Sequence, residues 1–254
     1  MKSWATSWRW RAIKMDDLER YRTEILLRHR RSMSEYLKDG RERGRHVTDF
    51  VYGCPRYAWY VYKFREEVGD EDRPLSERDM TVFTVGKKLD ELVVGDWHHV
   101  KVRKRIHDVE VVGEIDDLII DSGKLVVIDK KHLRGKPPKE AYSHYAIQVN
   151  SYIYFLVDGC TVESVEYGSL EALRKNLSGN FSGLYGAVLY IDVSLETSQV
   201  SDVVIWEVTP EVLNQIRKFW HAMVRDVKKS PPPPNISWFC NYCPFVRSCA
   251  EVGL

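Results

Sequence analysis

Four cysteines have the spacing of a metal site. Three lie near the C-terminus in the pattern Cys240-x2-Cys243-x5-Cys249, and the fourth, Cys54, comes almost two hundred residues earlier, directly before a proline. Four thiolates are enough to ligate an iron–sulfur cluster or a zinc ion, and clustered cysteines in a reducing compartment favour metal over disulfides. The fifth cysteine, Cys160, ends an apolar stretch, and we expect it to be a buried thiol outside this site.

Three charged side chains fall together on a predicted β-hairpin. Two apolar strands flank the turn Asp121-Ser122-Gly123-Lys124, and a two-residue loop at its centre sets Asp116 directly opposite Asp129. Side chains alternate along a strand, so Asp116, Asp129 and Lys131 are expected on one face. A slip of one residue in the register would present Asp117 in place of Asp116.

This face has the side chains that metal-assisted phosphodiester hydrolysis requires. Carboxylates that face each other at about 5 Å repel and destabilise a hairpin. A divalent cation between Asp116 and Asp129 removes that cost, because hard cations prefer carboxylate oxygens. Lys131 can then orient or deprotonate a water molecule beside the metal. The alternative is an exposed hairpin with ordinary charges, in which Asp129 pairs with a lysine.

The predicted elements place this hairpin in a mixed sheet. Helices are expected over residues 15–39, 48–53, 55–63, 76–94, 140–157 and 210–228, and strands over 98–106, 109–120, 124–132, 162–167, 186–193 and 202–208. This order predicts an α/β core with helical and cysteine-bearing flanks. Gln148 and Tyr152 lie one helical turn apart, where they either hydrogen-bond phosphate or the lysine, or belong to an aromatic stripe of the core.

The charge distribution leaves the partner open. A net charge of +1 does not by itself indicate a nucleic-acid binder, but basic residues cluster in the segments 20–45, 101–105 and 130–139. These runs either neutralise phosphates or form solvated surfaces offset by nearby acids. No apolar run reaches the length of a membrane span, and the N-terminus is too rich in tryptophan and charge for a signal peptide. We therefore expect a cytoplasmic protein that contacts no membrane.

Five sequence motifs, taken in order, resemble the RecB-like branch of the PD-(D/E)xK nucleases. Within that branch they are most similar to the fourth CRISPR-associated protein family, which are exonucleases that carry an iron–sulfur cluster. The motifs are His46-Val47-Thr48-Asp49-Phe50-Val51-Tyr52-Gly53-Cys54-Pro55-Arg56, Gly113-Glu114-Ile115-Asp116, Ile128-Asp129-Lys130-Lys131, Gln148-x3-Tyr152 and Cys240-x2-Cys243-x5-Cys249.

The resemblance implies a restriction-endonuclease-like α/β core, with a sheet flanked by helices and a 4Fe–4S cluster that joins the N- and C-terminal segments. It implies a deoxyribonuclease, dependent on Mg²⁺ or Mn²⁺, that cleaves chiefly single-stranded DNA ends and works with CRISPR adaptation proteins. The cluster ligands would be Cys54, Cys240, Cys243 and Cys249, the catalytic residues Asp116, Asp129, Lys131, Gln148 and Tyr152, and the metal ligands Asp90, Asp116, Asp129 and the carbonyl of Lys130. The DNA contacts would be Arg56, Lys130, Arg134 and Lys136.

Two departures from the family pattern bear on activity. Asp90 stands where the family usually has a metal-binding histidine, although a carboxylate can still hold Mg²⁺. The hairpin acid is Asp129, where the family more often has glutamate. One alternative is therefore a catalytically weak DNA-binding or assembly subunit of the same fold. Another is a zinc-ribbon binding protein, although zinc ribbons usually have two short cysteine pairs.

The chain is expected to divide into three parts. Residues 1–45 form a helical extension that either packs on the core or serves as an arm for DNA or a partner protein. Residues 46–230 form the nuclease core, which includes Cys54, and residues 231–254 form the cysteine segment. The proline run 231–234 between the last two parts is a stiff, extended spacer.

Overall fold

The computed structural model describes residues 45–68, 84, 87–88, 91–133, 135–192, 201–227 and 231–251. The predictions for Asp90, for Arg134, for the extension up to residue 44 and for most of the helix over 76–94 lie outside these residues. Contacts divide the chain into two units, and every element named below belongs to the unit made of Arg41–Asp72 and Gly86–Leu254. Among the helices that the structure describes, none is both long and apolar enough to span a bilayer.

The described strands form one seven-stranded mixed sheet in the order β5-β2-β3-β4-β6-β7, with β1 paired to β3. The strands are β1 (Arg45–His46), β2 (Trp97–Ile106), β3 (Val109–Asp121), β4 (Lys124–Leu133), β5 (Thr161–Ser164), β6 (Gly183–Asp192) and β7 (Ser201–Glu207). The β4–β6 and β1–β3 pairs are parallel and the others are antiparallel. A central sheet flanked by helices is the α/β core that the sequence predicts.

The β3–β4 hairpin forms at the predicted turn. Ser122 and Gly123 have φ angles of 50° and 77°, and two consecutive positive φ values define the type I′ turn that suits the twist of paired strands. The pairing runs from Asp121↔Lys124 to Asp117↔Ile128. This register is the predicted one, and it is confirmed over the whole of that ladder.

Six α-helices and a short 3-10 helix surround the sheet. They are α1 (Val47–Phe50), α2 (Pro55–Val68), α3 (Ser143–Val157), α4 (Leu170–Leu177), α5 (Pro210–Val227), the 3-10 helix Trp238–Asn241 and α6 (Val246–Glu251), counted over the described residues. Helix α1 begins at Val47, one residue before the predicted start at residue 48, and the amide of its N-cap residue His46 donates to Asp49 Oδ2 at 3.0 Å. Helix α4 was not predicted from the sequence, and its start is marked by Ser169, whose hydroxyl accepts from the Ala172 amide.

Helix α3 is held against the sheet at its centre. It contacts β4 and β6 on one side and α5 on the other, within the crossover that makes β4 and β6 parallel. Trp220 of α5 is fully buried between Phe50 and Phe155, and its Nε1 donates to Ser151 Oγ at 2.8 Å. Truncating a buried aromatic of this size costs about 3–5 kcal/mol. This packing fixes the helix that carries Tyr145, Gln148 and Tyr152 over β4.

Candidate functional site

The main-chain ladder between β3 and β4 ends one residue before the predicted catalytic pair. The last paired residues are Asp117 and Ile128. Beyond them, the Lys130 amide donates to Asp116 Oδ2 at 2.6 Å, so the carboxylate takes the place of a strand carbonyl. The β2–β3 pairing is also interrupted next to Asp116, at His99, which has a φ of 47°. Asp116 therefore lies at a position of β3 that is paired in neither of these two ladders.

Lys131 links the two predicted acids. Its Nζ donates to Asp129 Oδ1 at 2.8 Å, and the Asp129 side chain is only 2% exposed. Burial lowers the pKa of Lys131, but the charges of Asp129 and then Asp116, with the hydrogen bond to Asp129, outweigh it and hold the pKa above its ordinary value. The amide of Lys130, next to Lys131 in β4, binds the Asp116 carboxylate. The structure thus brings Asp116, Asp129 and Lys131 together.

Asp117 has a different environment from Asp116. Its Oδ1 accepts from the amides of Val94 and Gly95, each at 3.0 Å, and its Oδ2 lies 3.1 Å from Lys130 Nζ as an ion pair without an aligned hydrogen bond. The side chains of Asp117 and Lys130 are both fully buried. Asp117 therefore stabilises the fold, and the register in which it would replace Asp116 does not occur.

Two predicted DNA contacts are wrong because the side chains are buried. Lys130 Nζ donates to the Leu92 carbonyl at 2.7 Å besides pairing with Asp117. Arg56 is 6% exposed, and its Nε donates to the Pro232 carbonyl at 2.7 Å. Neither cation is available to a phosphate. Lys136, the other described member of that set, is exposed.

Helix α3 presents tyrosines to this site. Lys131 Nζ lies 5.1 Å from the centre of the Tyr145 ring, and burial raises the pKa of Tyr145 above its ordinary value. Gln148 and Tyr152 are buried on the same helix. Tyr152 packs on β3 at Gly113, where an added Cβ would lie 2.6 Å from Tyr152 Cε1. Tyr145 therefore belongs to the site. Its helical spacing from Gln148 and Tyr152 is the sequence signal that could have identified it.

The family of the chain follows from its sequence. A model of the PD-(D/E)XK nuclease superfamily matches residues 10–250. This protein belongs to the PD-(D/E)XK nuclease superfamily. No curated protein matches the chain.

Two solved structures are similar to this superfamily member. The crystal structure of SSO0001 aligns with a TM-score of 0.52 and 20% identity, over 90% of this chain and 96% of that one, which shows a shared fold. A candidate exonuclease from Eubacterium rectale aligns with a TM-score of 0.33 and 15% identity, over 81% of this chain and 75% of that one. The second similarity is too low to carry a structural argument.

One of the predicted basic runs, on β2, is neutralised by acids. Arg103 on β2 pairs with Glu110 and Glu163. Lys104 pairs with Asp158 at 2.7 Å and is 8% exposed. The run 101–105 is therefore occupied chiefly by internal ion pairs, as the alternative interpretation of that segment expected.

The four spaced cysteines meet at one cavity. Cys54, Cys240, Cys243 and Cys249 line a space of about 140 Å³ together with aromatic and aliphatic side chains. Burial, and then the charges of the other three thiolates, raise the pKa of the Cys243 thiol. Cys160 is not among the residues that line this cavity, and burial raises its pKa to about 11. The chain therefore brings the predicted set of four thiols together.

Polar contacts between the two ends of the fold enclose this cavity. Arg56 Nη1 lies 3.3 Å from the Cys249 carbonyl and 3.5 Å from its Sγ. The Tyr60 hydroxyl donates to the Ser248 carbonyl at 3.3 Å, and Asn235 Nδ2 donates to the Gly53 carbonyl at 2.9 Å. The start of α2 and the C-terminal segment are thereby fixed to each other around the thiols.

The chemistry of the thiols bears on which group they fit. Thiolates ligate both zinc ions and iron–sulfur clusters. Four thiols that line one cavity therefore supply a complete ligand set for either group.

Proposed function

We propose that this protein is a divalent-metal-dependent deoxyribonuclease that acts on single-stranded DNA, chiefly from an end. The observation that carries the proposal is the convergence of Asp116, Asp129 and Lys131 where the β3–β4 ladder ends. Two carboxylates and a cation at the point where two strands cease to pair can bind a metal and a phosphate side by side. Membership of the PD-(D/E)XK nuclease superfamily supports the same chemistry.

The donors at the hairpin fit a hard divalent cation such as Mg²⁺ or Mn²⁺. Asp116 and Asp129 supply carboxylate oxygens, which such ions prefer, and the Lys130 carbonyl is the third candidate ligand. When bound, the cation would polarise the scissile phosphate and lower the pKa of a water molecule. The Lys130 amide holds Asp116 in place. Lys131 has its ammonium beside Asp129, from where it can orient the attacking water or a phosphate oxygen.

The preference for single strands is supported by a continuous path of aromatic rings that leads away from Lys131. Tyr145, next to Lys131, lies 4.0 Å from the His144 ring, and His144 lies 6.1 Å from Trp238. Trp238 in turn lies 6.1 Å from Tyr242. Trp238 and Tyr242 are 55% and 75% exposed, so unpaired bases can stack on them. A flexible single strand can follow such a path without the cost of melting a duplex.

We further propose that Cys54, Cys240, Cys243 and Cys249 ligate a 4Fe–4S cluster. Support comes from the cavity that the four thiols line together, because thiolates are the ligands of iron–sulfur clusters. Trp238 and Tyr242 belong to the same C-terminal segment as three of these cysteines, so the cluster would also fix the aromatic path. The motif resemblance adds a role in CRISPR adaptation or related DNA processing, with adaptation proteins as partners.

Anaerobically purified protein tests these points together. Iron and sulfide analysis is expected to give one cluster per chain, and labelled single-stranded DNA is expected to be shortened only when Mg²⁺ or Mn²⁺ is added. Substrates with blocked ends separate exonuclease from endonuclease cleavage. DNA binding without any metal-dependent cleavage would contradict the enzyme proposal and would favour a DNA-binding or assembly subunit of the same fold.

A further inference from the structure

A second group of metal-ligating side chains lies on β2 and on the loop that follows β5. The ligand atoms of His98, His99 and Glu166 all lie within 4.8 Å of one another, and within the described chain they are the one such group of three. The two imidazole rings are stacked with their centres 4.0 Å apart. None of these residues belongs to the acidic hairpin or to the cysteine set.

Main-chain hydrogen bonds hold the two parts of this group together. The Glu166 amide donates to the His98 carbonyl at 3.0 Å, and the His98 amide donates to the Tyr167 carbonyl at 3.2 Å. The loop is therefore fixed to β2 at the first histidine. The Glu166 carboxylate is therefore brought beside His99 by main-chain hydrogen bonds, and not by contact between the side chains alone.

Asp117 sets the orientation of the His98 ring. Its Nδ1 lies 3.2 Å from Asp117 Oδ1, and the imidazole is 4% exposed. A carboxylate accepts only, so Nδ1 carries the proton and the lone pair of the neutral ring is on Nε2. Histidines that ligate metals usually donate their second ring N–H to a carboxylate in this way. Asp117 thus prepares His98 as a ligand.

His99 lies at a distance from Glu166 that suits a bound cation. Its Nδ1 lies 3.1 Å from Glu166 Oε2, whereas Glu114 Oε1 is farther away, at 3.5 Å. Zinc bound at about 2.0–2.1 Å from nitrogen and 2.0–2.2 Å from oxygen separates two such ligands by roughly 3.0–3.4 Å. His99 has a φ angle of 47°, which is uncommon for a residue other than glycine. This backbone conformation occurs where its side chain lies beside Glu166.

We propose that His98, His99 and Glu166 bind one borderline divalent transition ion such as Zn²⁺. Two imidazoles favour such an ion over Mg²⁺, which binds chiefly to oxygen. Its ligands differ from those proposed for the nuclease metal and from the thiols. It joins β2 to the loop after β5, and through His98 it supports Asp117, which lies next to Asp116 in the chain. The ion therefore helps to position the strand that carries the catalytic acid.

The test measures zinc binding by the full chain with its cysteine site loaded and with Mg²⁺ in excess to occupy the acidic hairpin. Equilibrium dialysis with Zn²⁺ is expected to give one equivalent, and anomalous diffraction at the zinc edge is expected to place a peak between His98, His99 and Glu166. His99→Ala and Glu166→Gln should each weaken this binding by about 100-fold. Glu166 is 66% exposed, so its substitution leaves the fold intact.

Two residues outside the group provide matched controls. His107, like His99, has a positive φ and contacts His221, so His107→Ala tests whether another histidine pair holds the zinc. Glu171→Gln tests the loss of another exposed carboxylate. Both controls should retain one equivalent. Zinc retained at full affinity by Glu166→Gln, zinc lost in His107→Ala, or an anomalous peak only at the thiols or at Asp129 would overturn the proposal. No DNA is present in these measurements, so the result is independent of nuclease activity.

Discussion

The Lys130 amide and the Asp116 carboxylate form a 2.6 Å hydrogen bond across the hairpin, beyond the last paired residues of the β3–β4 ladder. A side chain here takes over the role that a main-chain carbonyl has elsewhere in a sheet. The bond fixes Asp116 on the side of the hairpin where Lys131 meets Asp129. The end of the ladder thus determines where the acids can meet a metal.

Removal of either hairpin acid should abolish cleavage without unfolding the protein. Asp116→Asn and Asp129→Asn keep the shape of the side chain but remove a charge that the metal needs, and we expect the cleavage rate to fall by about 100- to 1,000-fold. Rates on end-labelled single-stranded DNA with Mg²⁺ measure this. Asp121→Asn, at the exposed turn of the same hairpin, is the control and should cut normally. Wild-type cleavage by Asp129→Asn would contradict the proposed site.

The buried pair of Asp117 and Lys130 should contribute to stability. Lys130→Met leaves a buried carboxylate without its ammonium, and we expect the free energy of unfolding to fall by about 3–5 kcal/mol. Denaturant unfolding of the protein measures this change. The double variant with Asp117→Asn should lose less than the sum of the single variants. Lys88→Met breaks an exposed pair with Glu91 and should change stability by no more than about 1 kcal/mol. Equal losses for the two lysine variants would refute the assignment.

The four cavity cysteines should differ from Cys160 in iron retention. Serine at Cys54, Cys240, Cys243 or Cys249 should remove most of the bound iron and lower the midpoint of thermal unfolding, because the group ties both ends of the fold together. Iron analysis and visible absorbance after anaerobic purification report the loss. Cys160→Ser, which changes a cysteine that does not line the cavity, is the control. Iron that survives Cys54→Ser would exclude this ligand set.

Arg56 should matter for the cysteine segment and not for DNA. Arg56→Met removes the hydrogen bonds to the carbonyls of Pro232 and Cys249, so we expect faster loss of iron on exposure to chelator. The salt dependence of DNA binding should stay as in the wild type, because it counts phosphate contacts. Lys136→Met, which removes an exposed cation, should reduce that salt dependence and leave iron retention unchanged. The opposite pattern would restore Arg56 as a DNA contact.

The exposed aromatics should determine affinity for single strands. Trp238→Ala and Tyr242→Ala, in an Asp129→Asn background that cannot cut, should each weaken binding of single-stranded DNA by about 5- to 150-fold, which corresponds to roughly 1–3 kcal/mol per stacked base. Fluorescence anisotropy with a labelled strand measures this. Tyr167→Ala removes an equally exposed tyrosine elsewhere and should have no effect. Equal affinities for all three variants would argue against the stacking path.

The sequence predicted the sheet more closely than its surroundings. The strands around the hairpin were predictable because turn residues and alternating apolar residues set their register locally, as the Asp117↔Ile128 pair shows. Helix α4 was missed because only Ser169 marks its start and only Leu173 of its residues is buried. The start of α1 was placed one residue too late because histidine is an uncommon N-cap and its bond to Asp49 is not evident from spacing.

The site was predictable where it depends on neighbours in sequence or register. Asp116, Asp129 and Lys131 were placed from the turn alone, and a short spacing pointed to three of the four cavity cysteines. The burial of Arg56 and Lys130 could not be predicted, because their partners, such as Pro232 and Leu92, are distant in sequence and are not residues with a charge signature. The cluster of His98, His99 and Glu166 forms where the loop after β5 contacts β2, and no local sequence pattern predicts that contact.

The contact between Arg56 and Cys249 joins residues 193 positions apart, and this separation orders events on the ribosome. The helix that carries Arg56 is synthesised first, and the strands with Asp116 and Lys131 emerge long before Cys249 does. A growing chain can therefore complete its acidic hairpin while one wall of the thiol cavity does not yet exist. Closure of that cavity is a late step of biogenesis, and its timing follows the emergence of the C-terminal segment and not the folding of the sheet.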